Sequence, residues 1–150
     1  MSGSALTDPA EPTRWFRRFL LGVAAAVYAG AAVELVLVDH YEDWKQLVPF
    51  VVIVLGLGTS AWLASSPGAS AVRAVRVVAG LAVAAAGVGV GLHLWGNLEF
   101  VREVNAGAGF AETLWVALSG GNPLLAPGMV ALAGVLAAAA TYRWDRPARA

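Results

Sequence analysis

The chain has 150 residues, of which 59% are hydrophobic and only 13% charged, with a mean hydropathy of +0.68. A soluble domain of this length needs a polar surface that such a composition does not supply, so an all-α integral membrane protein is expected. The absence of cysteine excludes disulfides, thiolate metal sites and thiol catalysis, and zero formal net charge gives nucleic acid no attraction.

In chain order, residues 1–13 are polar and carry Ser, Pro and acidic side chains, which predicts a disordered tail. A membrane-spanning helix takes about 20 mainly apolar residues, at about 1.5 Å each, to cross a hydrocarbon core of about 30 Å. Four runs approach that length, at about residues 19–38, 47–64, 75–95 and 124–142, so residues 14–144 are predicted to form a four-helix transmembrane bundle. The pair Arg17-Arg18, then Phe19-Leu20-Leu21 and Ala29-Gly30-Ala31, has the look of a cleavable signal. The apolar run continues through Val38, which favours a retained first span.

The acidic turn Asp39, Glu42 and Asp43 joins the first two spans, and Gly56 and Gly58 in the second suit a packed membrane helix. Leu98, Phe100 and Val101 suggest that the third helix continues past the membrane surface. Asn105, Gly107 and Gly109 then predict a break, followed by a short interfacial or re-entrant helix around Ala111–Leu118 anchored by Trp115. Gly120-Gly121-Asn122-Pro123 closes it, and residues 145–150 form a second tail.

Basic residues orient the bundle. Eight of ten (Arg14, Arg17, Arg18, Arg73, Arg76, Arg143, Arg146 and Arg149) fall on one side, against Lys45 and Arg102, so both termini are predicted to be cytoplasmic in a multi-pass cell-membrane protein. Trp15, Trp62 and Trp144 mark the same cytoplasmic ends, and Trp44, Trp95 and Trp115 the outer ones. Every acid from Glu34 to Glu112 then lies outside, with both histidines.

Small residues recur at helix-packing spacing: Gly22, Ala26, Gly30 and Glu34 in the first span, and Gly80, Ala84, Gly87 and Gly91 beside Ala82, Ala86, Gly89 and His93 in the third. These stripes predict that Glu34 and His93 face other helices. Glu34 is the one acid within a span, where a carboxylate is costly unless partnered or functional, and it is the leading proton- or substrate-binding candidate. His40 and His93 end the first and third spans at one level, so with Glu34 they are candidate ligands for zinc, copper or haem iron. Glu99 and Glu103 are secondary candidates, expected to pair with Arg102 along one helix face. Asn97 is a possible polar cap. No phosphate loop, hydrolase elbow, zincin or haem-attachment motif is present, and the sequence specifies no cofactor.

Three functions fit these residues, none requiring an enzyme. One is a proton-coupled carrier, a homo-oligomer using Glu34; four short spans with one carboxylate in the first is similar, in helix count and that residue type, to the small multidrug resistance architecture. The second is a non-catalytic subunit or assembly factor of a larger membrane complex. The third is an outer-face metal- or haem-binding protein. The bilayer is the partner common to all three.

Overall fold

The computed structural model describes residues 11–121 and 124–144. The elements are α1 (Glu11–Leu37), a short 3₁₀ helix (Trp44–Leu47), α2 (Val48–Ser65), α3 (Ala69–Val104), α4 (Phe110–Ser119) and α5 (Ala126–Ala139). Helix is the expected state for such apolar runs, because in lipid each backbone N–H and C=O must be satisfied within its own segment. The breaks fall where the chemistry demands. Pro67-Gly68 separates α2 from α3, Asn105 to Gly109 separates α3 from α4, and Pro49 and Pro127 occupy first turns, where their missing N–H is harmless.

The expected tail of residues 1–13 lies outside the described residues except for its end, since Glu11 to Thr13 already belong to α1. The tail at 145–150, with Arg146 and Arg149, and the pair Asn122-Pro123 also lie outside them. α1 runs unbroken through Ala29-Gly30-Ala31 to Leu37.

Three helical segments are long and apolar enough to cross a membrane: Thr13–Leu37, Trp44–Ser65 and Ala69–Val104. The fourth predicted span is shorter than expected: α5 has 14 residues, about 21 Å of regular helix. Its end has an identifiable cause. Past Ala139 the chain tightens into turns, and two distant guanidinium groups take the freed carbonyls. Arg76 Nη2 donates to the Thr141 carbonyl at 2.9 Å while its Nε donates to Thr141 Oγ1 at 3.0 Å. Arg17 Nη2 donates to the Tyr142 carbonyl at 3.1 Å, with its guanidinium 4.6 Å from the Trp144 ring centre. Cations suit a helix C-terminus, where carbonyls lack intrahelical donors.

The four longer helices form a ring in which α1 touches α2, α2 touches α3, α3 touches α5 and α5 touches α1. α2 and α5 also meet across the short diagonal, whereas the backbones of α1 and α3 do not approach closely. Small side chains allow the closest crossing: a Cβ at Gly134 of α5 would stand 2.9 Å from the Ala82 Cβ and 3.2 Å from the Ala79 Cα of α3. One core layer joins Leu21, Ala24, Leu63, Val72, Val75 and Ala137, near the arginine-rich end. The other gathers Tyr28, Ala31, Val52, Ile53, Ala82 and Val130.

Tyr28 sets the rotation of α1. Its ring, 1% exposed, lies over Gly56 of α2, in space that a Cβ at Gly56 would occupy. Gly58, one half-turn away, has nothing within 4 Å of its Cβ position. Gly56→Ala is therefore expected to lower stability by about 1–3 kcal/mol through overpacking, and Gly58→Ala to leave it unchanged or slightly raised. Thermal or SDS-induced unfolding in detergent, followed by circular dichroism, measures both.

Candidate functional site

The acidic end of the bundle carries the chemistry-bearing side chains. α1 stops there in a Schellman motif. The His40 N–H donates to the Leu35 carbonyl at 2.9 Å, and the Asp39 N–H to the Val36 carbonyl at 3.2 Å. Asp39 occupies the left-handed region at φ 51°, a conformation that Asp tolerates better than most residues. Tyr41 Oη donates to Asp39 Oδ1 at 2.7 Å, and this bond above all holds the exposed Tyr41 hydroxyl above its usual pKa. Asp43 and Gln46 then form a capping box on the 3₁₀ helix, with Gln46 Oε1 also accepting from the Glu42 N–H at 2.8 Å.

This turn carries His40 across the mouth of the bundle to His93 of α3. The two rings lie 6.3 Å apart, centre to centre, inclined at 63°. Both side chains are half-buried. Burial, and then the neighbouring His93, hold the His40 imidazole below its ordinary pKa. Two residues 53 positions apart in sequence are thus side by side, although the backbones of the helices that lead to them do not approach closely.

Glu34 does not join them. It is exposed on the outside of the bundle, and so are Gly22, Ala26 and Gly30, the rest of its stripe. The expectation that this stripe faces other helices of the chain is overturned by helix geometry. α1 buries Leu21, Ala24, Tyr28 and Ala31, and positions two residues from Tyr28 lie about 160° around the helix from it. Seating Tyr28 over Gly56 therefore turns Ala26 and Gly30 outward. On α3, Gly80, Ala84, Gly87 and Gly91 also face out. The adjacent stripe packs inward as expected: Ala82 and Ala86 are buried, and a Cβ at Gly89 would stand 3.0 Å from the Pro127 ring.

Among the described residues no three His, Asp or Glu side chains gather closely enough to enclose a metal ion, so Glu34 does not complete a site with His40 and His93 in one chain. Apart from the Tyr28 phenol, the buried polar side chains among them are Ser60, Asn97 and Thr141, so no carboxylate or imidazole is buried. Ser60 Oγ has no hydrogen-bond partner.

The long connection after α3 forms the helix that its sequence predicts. With 36 residues α3 extends about 54 Å, well beyond a hydrocarbon core of about 30 Å, and α4 folds back along the excess. α4 contacts α3 and no other helix, so it leans on one neighbour instead of capping the bundle. Asn97 pins it. Its buried Nδ2 donates to the Ala117 carbonyl at 3.0 Å, filling one of the acceptors left open at the end of α4. Gly120 fits beside it, since a Cβ there would stand 2.8 Å from Asn97 Cγ. Asn105 Nδ2 donates to Glu112 Oε1 at 3.1 Å near the start of α4. The expected ion pair among Glu99, Arg102 and Glu103 is absent: Glu99 Oε1 accepts instead from Trp95 Nε1 at 2.7 Å, and Glu103 is exposed.

Sequence reasoning missed the left-handed turn at Asp39, the seating of Tyr28 and the bonds that Arg17 and Arg76 make past the end of α5. Asp39 carried a usable signal, an αL-tolerant residue just past an apolar run; the others depend on distant partners. Asn97→Leu is expected to leave the Ala117 carbonyl without its donor, at about 1–3 kcal/mol. Hydrogen exchange should then rise across Phe110–Ser119 and stay unchanged in α5.

No family model matches this chain, and comparison with curated proteins and with solved structures finds no match.

Proposed function

We propose that this chain is a non-catalytic subunit of a larger membrane assembly, which it joins by docking the outer faces of α1 and α3 onto the helices of neighbouring proteins. The observation that carries this reading is the division of its glycines. Gly56, Gly89, Gly120 and Gly134 each make room for a neighbour within the chain, whereas the Cβ positions of Gly22, Gly30, Gly80, Gly87 and Gly91 are open. Glycine in a helix costs up to about 1 kcal/mol relative to alanine, and the second group gains nothing from the fold in return. Close backbone approach by another membrane helix would use it.

Glu34 supports the same reading, because a carboxylate at the end of an outward stripe is costly in lipid unless a partner donates to it. The two stripes belong to helices on opposite corners of the ring. Two unlike faces suit a link between two neighbours better than a closed symmetric pair, which would use one self-complementary face. A carrier using Glu34 has less support, since no carboxylate, imidazole or basic side chain is buried among the described residues. The topology that accompanies the proposal has both termini cytoplasmic and α5 as a short fourth crossing. The gathering of Arg17 and Arg76 on the turn after α5, at the end opposite His40, supports it.

The test compares wild type with Gly22→Ile/Gly30→Ile and with Gly87→Ile/Gly91→Ile, purified in mild detergent. Wild type is expected to bring down a stoichiometric membrane partner. Each double variant should lose it about tenfold or more, equivalent to about 1.4 kcal/mol of docking energy, with an unchanged helical signal and melting curve. Recovery of wild type without a partner, or equal recovery with the variants, would overturn the proposal.

A further inference from the structure

We infer that His40 and His93 together form a binding site for a borderline transition-metal ion, zinc or copper(II), on the acidic end of the bundle, with its remaining coordination positions left to water. The inference is independent of the docking proposal. Its ground is the convergence of two imidazoles from separate parts of the chain, their ring centres 6.3 Å apart and both half-exposed. Imidazole nitrogen is a ligand shared by zinc, copper, iron and nickel. At metal–nitrogen bonds of about 2.0–2.1 Å, two imidazoles on one tetrahedral ion have ring centres roughly 5 Å apart. The remaining distance of about 1 Å is of the size that side-chain rotation covers. The His40 backbone is already fixed, its N–H held by the Leu35 carbonyl at 2.9 Å.

The surrounding charge favours a cation. Asp39, Glu42, Asp43, Glu99, Glu103 and Glu112 share this end with two bases, Lys45 and Arg102. A negative rim raises the local concentration of metal ions, while the two imidazoles supply the bonds. With two protein ligands the site is more open than three-ligand catalytic or four-ligand structural zinc sites, so water completes the ion's coordination. A bound ion would also tie the α1–α2 connection directly to α3 at this end of the bundle.

Isothermal titration of tag-free protein in nanodiscs with zinc chloride, and separately with copper sulfate, tests the inference on wild type, His40→Ala, His93→Ala and the double variant. His93→Gln and His40→Gln serve as polar replacements nearer in volume, and circular dichroism checks the fold of each. One ion per wild-type chain is expected for at least one metal. Each single variant should lose affinity by about tenfold or more, and as much as the double variant does, because the two ligands act as a unit. Wild-type affinity in either single variant, or no wild-type binding above that of the double variant, would overturn it.

Discussion

A phenol ring seated in a glycine notch decides what this protein presents to its surroundings. Tyr28 occupies the space that a side chain at Gly56 would fill, and that contact fixes the rotation of α1 about its axis. Once Tyr28 is inside, helical geometry sends Gly22, Ala26, Gly30 and Glu34 to the outside, because they lie on the far side of the same cylinder. Small residues alone do not make this choice. α1 has alanine or glycine on nearly every face, and in lipid there is no hydrophobic transfer energy to prefer one over another. The bulky side chain breaks the tie.

The same logic runs through the rest of the bundle. α5, the shortest long helix, is held by close contact at Gly134 against Ala79 and Ala82 and by the arginine bonds beyond its last turn. Stability comes from close approach between backbones where the residues are small, and from charge-assisted hydrogen bonds where a helix ends. α4 has neither to any helix but α3. It depends on Asn97 and Asn105, which makes it the element most readily released, and it leaves Phe110 and Trp115 exposed, the latter at 70%.

The helices and the break between α3 and α4 were legible in the amino-acid sequence because they rest on local chemistry: apolar runs, Asn105 with two following glycines, and a short apolar pattern after them. The length of α5 was not legible, since the arginine side chains that end it come from 65 and 125 residues away. The stripes of α1 and α3 could be seen, but which of them the fold would use could not, because that depends on Tyr28 finding Gly56. Likewise the two histidines could be placed at one membrane level, whereas their meeting depends on a left-handed turn at Asp39 that carries the chain sideways off α1. Glu99 shows how a local rule fails: Arg102 and Trp95 are both within helical reach, and the indole N–H takes the carboxylate.

The chain contains no native cysteine, so each position of α1 can be examined by a single introduced thiol without background. On the proposed reading, the face of α1 opposite Tyr28 is a contact surface for other membrane proteins. Its most direct measurement is a cysteine scan of residues 20–34 in native membranes, with each variant treated with a short bifunctional thiol cross-linker. Cross-links to another chain are predicted to recur at residues 22, 26 and 30, with a period near 3.6, and to be absent at Leu21, Ala24 and Tyr28. Cross-links that peak at the Tyr28 face, or that show no helical period, would mean that this face of α1 is not a docking surface.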